Sequence, residues 1–183
     1  MRELVERAKA GDHEAFTELG RFWVDRLYAI ACVILRDPER AHDATQEALV
    51  ASWRDIRGLR DPDRFEPWIR RILVNACYRE ARRDRAQRRV ERHVVSIDVT
   101  AQDPTEAFAD RDELERGFRR LAPDQRALLA LHFYAGLPLQ ETADSLGIPL
   151  GTAKSRLHRA VRELRAGLAA DARGERLAEG RPS

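Results

Sequence analysis

Between residues 150 and 165 the chain carries five basic groups against Glu163, a local net of +4. At helical steps Gly151, Thr152, Ser155, His158, Arg159 and Arg162 share one face, with Lys154 and Arg156 on its flanks. Ala153, Leu157, Ala160, Val161 and Leu164 share the opposite face. A helix divided in this way has one side to pack and one side of short polar and cationic groups. The second side suits a DNA major groove, where short side chains reach base edges and Lys or Arg reach phosphates. A solvated face on an ordinary helical hairpin has a similar composition. What favours the DNA reading is the turn before it. Ala143 is small where two helices would cross, Gly147 can take a positive φ, and Ala153 follows six residues later.

A second stripe, Arg71, Asn75, Tyr78, Arg82, Arg85 and Arg89, also falls at steps of three and four. Arginine clamps a phosphate backbone, Asn75 can hydrogen-bond a base edge, and Tyr78 offers a stacking surface for an unpaired base. Residues 70–92 hold nine arginines against Glu80, Asp84 and Glu91, a net of +6. A third group, Asp43, Gln46 and Glu47, is acidic and polar on one helix face. Acids gain nothing by facing phosphate, so a protein partner is their natural use, with a plain solvated face as the bland alternative.

The elements that must position these groups read as helices throughout. Phe16, Leu19, Trp23, Leu27, Ile30 and Ile34 predict a first long helix over His13 to Leu35, with Asp12 as its N-cap. Asp37 and Pro38 start a second, to Ile56, whose buried face is Ala41, Ala44, Thr45, Ala48, Leu49, Ser52, Trp53 and Ile56. A Gly- and Pro-punctuated turn from Arg57 to Arg64 leads to a third, Phe65 to Arg89, packing through Phe65, Trp68, Ile69, Ile72, Leu73 and Ala76. Three such helices with short turns make a compact bundle. Residues 98–115 then hold seven acids against Arg111, a net of −6, and read as a tether that leaves two units free to reorient. A second helical unit follows: a short stripe of Leu114, Phe118 and Leu121, a helix from Pro123 through Phe133, another from Leu139 to Leu146, and the long one from Gly151 to Leu168. The expected fold is therefore all-α, a three- to four-helix bundle over 1–92 and a helix-turn-helix domain over 113–170. They are joined by a flexible acidic linker over 93–112, and a disordered tail spans 171–183. No internal repeat and no strand alternation is found.

Composition removes several classes. Cys32 and Cys77 stand alone in apolar helical contexts, so neither a disulfide framework nor a zinc spacing is present. The longest apolar run, Tyr28 to Leu35, is too short to span a bilayer. Met1 to Glu6 lacks the apolar core of a signal peptide, and the expectation is a chain in a reducing cytoplasm. No His-Glu-x-x-His, Gly-rich phosphate loop or nucleophile elbow appears. His42 beside Asp43 and Glu47 could suggest a metal, but one histidine among exposed acids reads as solvated. The expectation is no catalysis, no cofactor and no metal. The whole-chain charge of +2 names no partner, and all but two of the 33 basic residues are arginine.

The segments Asp43-Ala44-Thr45-Gln46-Glu47-Ala48 and Phe65-Glu66-Pro67-Trp68-Ile69-Arg70-Arg71-Ile72-Leu73-Val74-Asn75 closely resemble region 2 of bacterial sigma-70-family factors. Leu121-Ala122-Pro123-Asp124-Gln125-Arg126 and Gly151-Thr152-Ala153-Lys154-Ser155-Arg156-Leu157-His158-Arg159-Ala160 resemble their region 4. The short two-domain layout is similar to the extracytoplasmic-function (ECF) subfamily. Pro138, Thr142 and Ala153 depart from the usual serine, isoleucine and valine.

The resemblance implies an alternative sigma factor that binds core RNA polymerase, directs it to specific promoters, helps open the DNA, and is held in check by an anti-sigma factor. It implies that Asp43, Gln46 and Glu47 dock on the clamp helices of the β′ subunit, and that the second domain also meets the β flap. The −10 element would fall to Arg60, Arg64, Trp68, Arg71, Asn75, Tyr78, Arg82 and Arg85. The −35 element would fall to Gly151, Thr152, Lys154, Ser155, Arg156, His158, Arg159 and Arg162. The acidic linker would thread toward the RNA exit channel. A response-regulator output domain shares the second unit's pattern, but it would need a receiver domain on a parallel sheet, and the first ninety residues show no strand alternation. A stand-alone DNA-binding regulator is the other alternative, separable by whether core polymerase retains the chain.

Overall fold

The structure is a computed structural model and describes residues 1–94 and 116–179, with side chains over 1–87 and 116–169. It is helical throughout its described length. In order come α1 (Arg2–Lys9), α2 (His13–Leu35), α3 (Pro38–Asp55), two 3₁₀ turns (Ile56–Gly58 and Pro62–Arg64) and α4 (Phe65–Val94). Then follow α5 (116–120), α6 (Pro123–Leu129), a π turn (Ala130–Tyr134), α7 (Leu139–Leu146) and α8 (Leu150–Glu179).

The helix starts are set by side chains. The Asp12 carboxylate accepts from the Glu14 and Ala15 N–H groups at 3.0 and 3.1 Å and opens α2. Asp37 accepts from the Arg40 N–H at 3.1 Å and opens α3, with Pro38 in the first turn, where no N–H is needed. Gly147 ends α7 at φ 66°, a left-handed cap that glycine takes without strain.

Along α2, Leu19, Trp23, Leu27, Ile30 and Ile34 are buried, as their spacing predicts, while Phe16 is only half-buried. They meet Ala41, Ala44 and Ala48 of α3 and Phe65, Ile69 and Leu73 of α4 in one core. The alanines let α3 approach closely, and each fully buried Leu or Ile contributes about 1.5–3 kcal/mol. Leu49 and Trp53, expected inside, are half-buried; the Trp53 ring instead lies against His13 and Phe16 at 4.6 and 4.8 Å. The second unit has its own small cores, Leu121, Leu129 and Ala160 in one, Leu128, Ala143 and Ala153 in the other.

Four features differ from the sequence reading. Helix α1 lacks any sequence stripe, because only Val5 and Ala8 are buried on it. The helix from Pro123 changes to a π turn at Ala130, where the Ala135 N–H reaches the Ala130 carbonyl five residues back at 2.8 Å. Helix α8 runs to Glu179 rather than stopping at Leu168, through a segment rich in Ala, Leu and Arg that favours helix. Most importantly, the two units are not apart: Ala127, Ala130, Leu131 and Leu137 of the second are buried in the same core as α2 and α4. Most of the expected linker over 93–112, and residues 180–183 of the expected tail, lie outside the described residues.

Candidate nucleic-acid and polymerase interfaces

Helix α8 presents its two faces as the residue spacing requires. Ala153 and Ala160 are buried against α6 and α7, with Leu157, Val161 and Leu164 half-buried beside them. Gly151, Lys154, Ser155, His158, Arg159 and Arg162 are exposed and line one shallow depression of about 510 Å³. Thr152 and Arg156 are half-buried at its edge. Two details refine the expected roles. The Ser155 hydroxyl donates to the Thr152 carbonyl at 3.0 Å, so it must turn to meet a base. The Arg156 guanidinium lies 3.8 Å from Asp124 of α6, which fixes it at the flank of the helix.

The stripe on α4 is more crowded. Arg71, Asn75, Arg82 and Arg85 are exposed, whereas Tyr78 is half-buried, and the Arg89 side chain lies outside the described residues. Burial pushes the Tyr78 phenol well above its usual range, the Asp124 carboxylate pushes it the same way, and Arg156 opposes them. Tyr78 therefore stays a neutral ring. In the loop before α4, Arg60 is exposed, and Arg64 is bonded to Asp144 of α7 at 2.9 Å. Trp68 is half-buried, its ring tilted against Phe65 at 5.7 Å.

On α3, Asp43 and Gln46 face outward, with Gln46 Nε2 3.2 Å from His42 and Asp43 3.9 Å from the other nitrogen of that ring. Glu47 points differently from its neighbours. Its carboxylate accepts from Arg79 of α4 at 2.8 Å and lies 3.8 Å from Arg83. Glu47 thus ties α3 to α4 as well as bordering the polar face. Sequence reasoning missed Val50, which is 67% exposed one turn beyond Gln46 on the same face. Its signal was a branched apolar residue at an outward position of an otherwise polar helix face.

Between the units runs a groove of about 1370 Å³. Its apolar lining includes Cys32, Val33, Leu129, Phe133, Val161 and Leu164, and its charged lining is Arg36, Arg119, Arg126 and Arg165 with Asp37 and Asp84. The Arg126 guanidinium is destabilised in its charged form by burial and by facing Arg36 and Arg85. Its Nε is buried without a hydrogen-bond partner. Among the described residues no group of three or more His, Cys, Asp or Glu side chains converges to hold a metal. None of the described helices is long and apolar enough to cross a membrane.

Residues 23–87 match the family model for sigma-70 region 2, and residues 111–164 match that for sigma-70, region 4. An RNA polymerase sigma-E factor of Streptomyces antibioticus is 33% identical over 155 residues, covering 85% of each chain. The ECF RNA polymerase sigma factor SigM of Mycobacterium tuberculosis is 35% identical over 160 residues, covering 86% of this chain and 79% of the relative. Among solved structures, CnrH in complex with the cytosolic domain of CnrY is 26% identical with a TM-score of 0.67, over 93% of this chain and 97% of the other. The sigma factor RpoE of Bartonella quintana, solved with the anti-sigma factor NepR, is 25% identical with a TM-score of 0.65, over 85% and 98% of the two chains. With two matched regions in the order that the helices place them, and relatives aligned along most of its length, this chain belongs to the ECF subfamily of sigma-70-family RNA polymerase sigma factors.

Proposed function

We propose that this ECF factor divides promoter recognition between α4 and α8 and polymerase docking onto α3. The observation that carries the reading is α8, whose small residues are buried while six polar or glycine positions stand open on one face. Its N-terminal half enters the major groove of the −35 element, with Ser155, His158 and Arg159 toward base edges and Lys154, Arg156 and Arg162 toward phosphates. Arg60, Arg64, Trp68, Arg71, Asn75, Tyr78, Arg82 and Arg85 form the −10 surface. Unstacking bases costs a few kcal/mol per step, and capture of an extruded base in the Arg57–Arg64 loop, with stacking on α4, offsets it. Asp43, Gln46, Val50 and the outer edge of Glu47 dock on the β′ clamp helices, and the second unit meets the β flap. The polymerase supplies the chemistry; this chain supplies address and melting. The test is retention of the chain by core polymerase without DNA, followed by transcription that depends on both promoter elements. DNA binding without retention would favour a stand-alone regulator.

The same reading includes restraint by an anti-sigma factor, seated in the inter-unit groove. Two structural relatives were solved with such partners or with a cytosolic partner domain. An apolar lining with four arginines against Asp37 and Asp84 leaves a net positive charge, which suits an amphipathic helix carrying acids along its edges. Arg126→Glu should weaken capture of such a partner by tenfold or more, on the scale of about 1.4 kcal/mol per decade, and leave retention by core polymerase unchanged. Unaltered capture would move the seat elsewhere.

A further inference from the structure

We propose that α1 positions the loop that captures the extruded base: it grips both 3₁₀ turns of Arg57–Arg64, with Arg2 as the positioning residue, and so sets −10 selectivity without touching DNA. The grip stands on contacts; its purpose rests on the −10 reading proposed above.

Helix α1 lies outside residues 23–87, which match region 2, yet it packs on both turns, Ile56–Gly58 and Pro62–Arg64. Val5 and Ala8 of α1 are buried in the same core as Ile56 and Leu59. Those apolar contacts fix α1, and two polar contacts then fix the loop against it. At the second turn the Arg2 guanidinium donates to the Asp63 carboxylate of the loop and, through Nε, to Glu6 of α1 at 3.1 Å. Glu6 is one helical turn from Arg2 and steadies the guanidinium from its own helix. The Asp63 N–H donates to the Asp61 carboxylate at 3.0 Å, and the Arg64 N–H reaches the Asp61 carbonyl at 3.0 Å. What holds Asp63 therefore also places Arg64, its neighbour in the −10 surface. At the first turn the Arg57 guanidinium lies against the bare Cα of Gly11, where an added Cβ would stand 3.3 Å from Nη2. Gly11, at φ 100°, makes the bend between α1 and α2, and Arg7 bonds Asp12 across it at 2.8 Å. Arg57 is thus turned toward the α1–α2 bend. Between the two grips stands Arg60, exposed beside the buried Leu59.

Ordering a free loop at the moment of capture costs conformational entropy, and a loop already held loses less. Discrimination gains as well, because a mobile loop can repack around the wrong base. The Arg2–Asp63 pair is exposed, so removing it is a mild and local perturbation. Arg2→Glu goes further and sets a third carboxylate beside Glu6 and Asp63.

Two measurements test the grip and its purpose separately. Hydrogen exchange of the free chain reads the amides of Asp63 and Arg64, with Ala76 in the core of α4 as the reference for global opening. Holoenzyme affinity is then measured for four fork-junction duplexes, one for each base at a −10 position, built on a sequence selected by the holoenzyme from a random pool. The readout is the ratio of best to worst base, because a charge near the backbone moves all four duplexes alike. Arg21→Ala, at an exposed position of α2, controls for the loss of one positive charge.

Arg2→Glu should speed exchange at Asp63 and Arg64 several-fold, leave Ala76 unchanged, and lower the −10 ratio by about three- to fivefold, the upper range for an exposed pair. Arg2→Lys should keep the ratio, and Arg2→Glu combined with Asp63→Arg should restore most of it. Preference among −35 variants should not move. Unchanged exchange in Arg2→Glu would overturn the grip. Faster exchange with an unchanged −10 ratio, a loss that the combined variant fails to restore, or an equal loss at both promoter elements would overturn its purpose. Failure of the −10 reading looks different: Arg60→Ala would then leave the −10 ratio as it is in wild type, and the proposed purpose would fall with that reading while exchange still recorded the grip.

Discussion

The docking face proposed on α3 separates two substitutions that look equivalent in sequence. Asp43→Arg reverses an exposed charge that lies 3.9 Å from the His42 ring. Nothing in the fold depends on that carboxylate, so the change in unfolding free energy should stay within about 0.5 kcal/mol. If the proposed docking holds, a reversed charge meets a polymerase surface of the opposite preference, and such juxtapositions cost several kcal/mol. A loss of about 3 kcal/mol is on the order of a hundredfold in Kd. Glu47→Arg is different. It removes the bond to Arg79 at 2.8 Å and brings a third guanidinium beside Arg79 and Arg83. Part of its effect on binding would therefore come through a loosened α3–α4 pair, with a stability loss of roughly 1 kcal/mol for a half-exposed pair. Titrating core polymerase into labelled chain, alongside urea unfolding of each variant, gives both quantities. If Asp43→Arg binds within about twofold of wild type, well under the 1.4 kcal/mol of one decade, the polar face of α3 is solvated and docking must lie elsewhere.

Arg159→Ala should cost about 1–3 kcal/mol and relax preference at one or two −35 positions, whereas Lys154→Ala should weaken all promoters alike and reduce the salt slope by roughly one. Transcription from a set of −35 variants at two salt concentrations tells the two apart, and a uniform loss for Arg159→Ala would make α8 a phosphate clamp only. Thr142 is fully buried, and its hydroxyl has no hydrogen-bond partner. Thr142→Val keeps the shape and removes the unpaired oxygen, so it should stabilise the second unit by about 1 kcal/mol in urea unfolding. A destabilised variant would mean that the hydroxyl is satisfied by water. Burial pushes the Cys77 thiol up to about 12. At pH 8 it stays protonated in the folded chain, so iodoacetamide should reach it only after unfolding, and labelling of Cys77 in native protein would show that α4 opens locally.

Local features were legible in the sequence because their causes are local. The α2 stripe, the caps at Asp12 and Asp37 and the left-handed Gly147 each depend on a few neighbouring residues, and the two faces of α8 follow from helical period alone. What escaped depends on partners distant in the chain. Glu47 reads as a member of an outward face until Arg79, 32 residues later, is brought against it. Tyr78 reads as an open stacking ring until the second unit covers its edge. The acidic run over 98–115 suggested independent units, yet Leu131 and Leu137 have no core of their own large enough to bury them and find one on α2 and α4. The open face of α8 was therefore readable almost residue by residue, and the stripe on α4 only as a list of its members.

The π turn at Ala130–Tyr134 bears on how the family can vary in length. A π turn holds one residue more than the α-helical path, and each residue of an α-helix turns the chain by about 100°. Removing one residue from 130–134 would let α6 run on as regular helix with little change of phase, because the π turn absorbs its extra residue within a single turn. The Gly136 bend, α7 and α8 would keep their direction, and the change would be confined to the neighbourhood of Phe133 and Tyr134, now 63% and 60% exposed. One residue lost inside α8, by contrast, turns every later side chain of that helix by about 100°. The π turn thus acts as a length buffer, and relatives one residue shorter there should present the open face of α8 at the same azimuth.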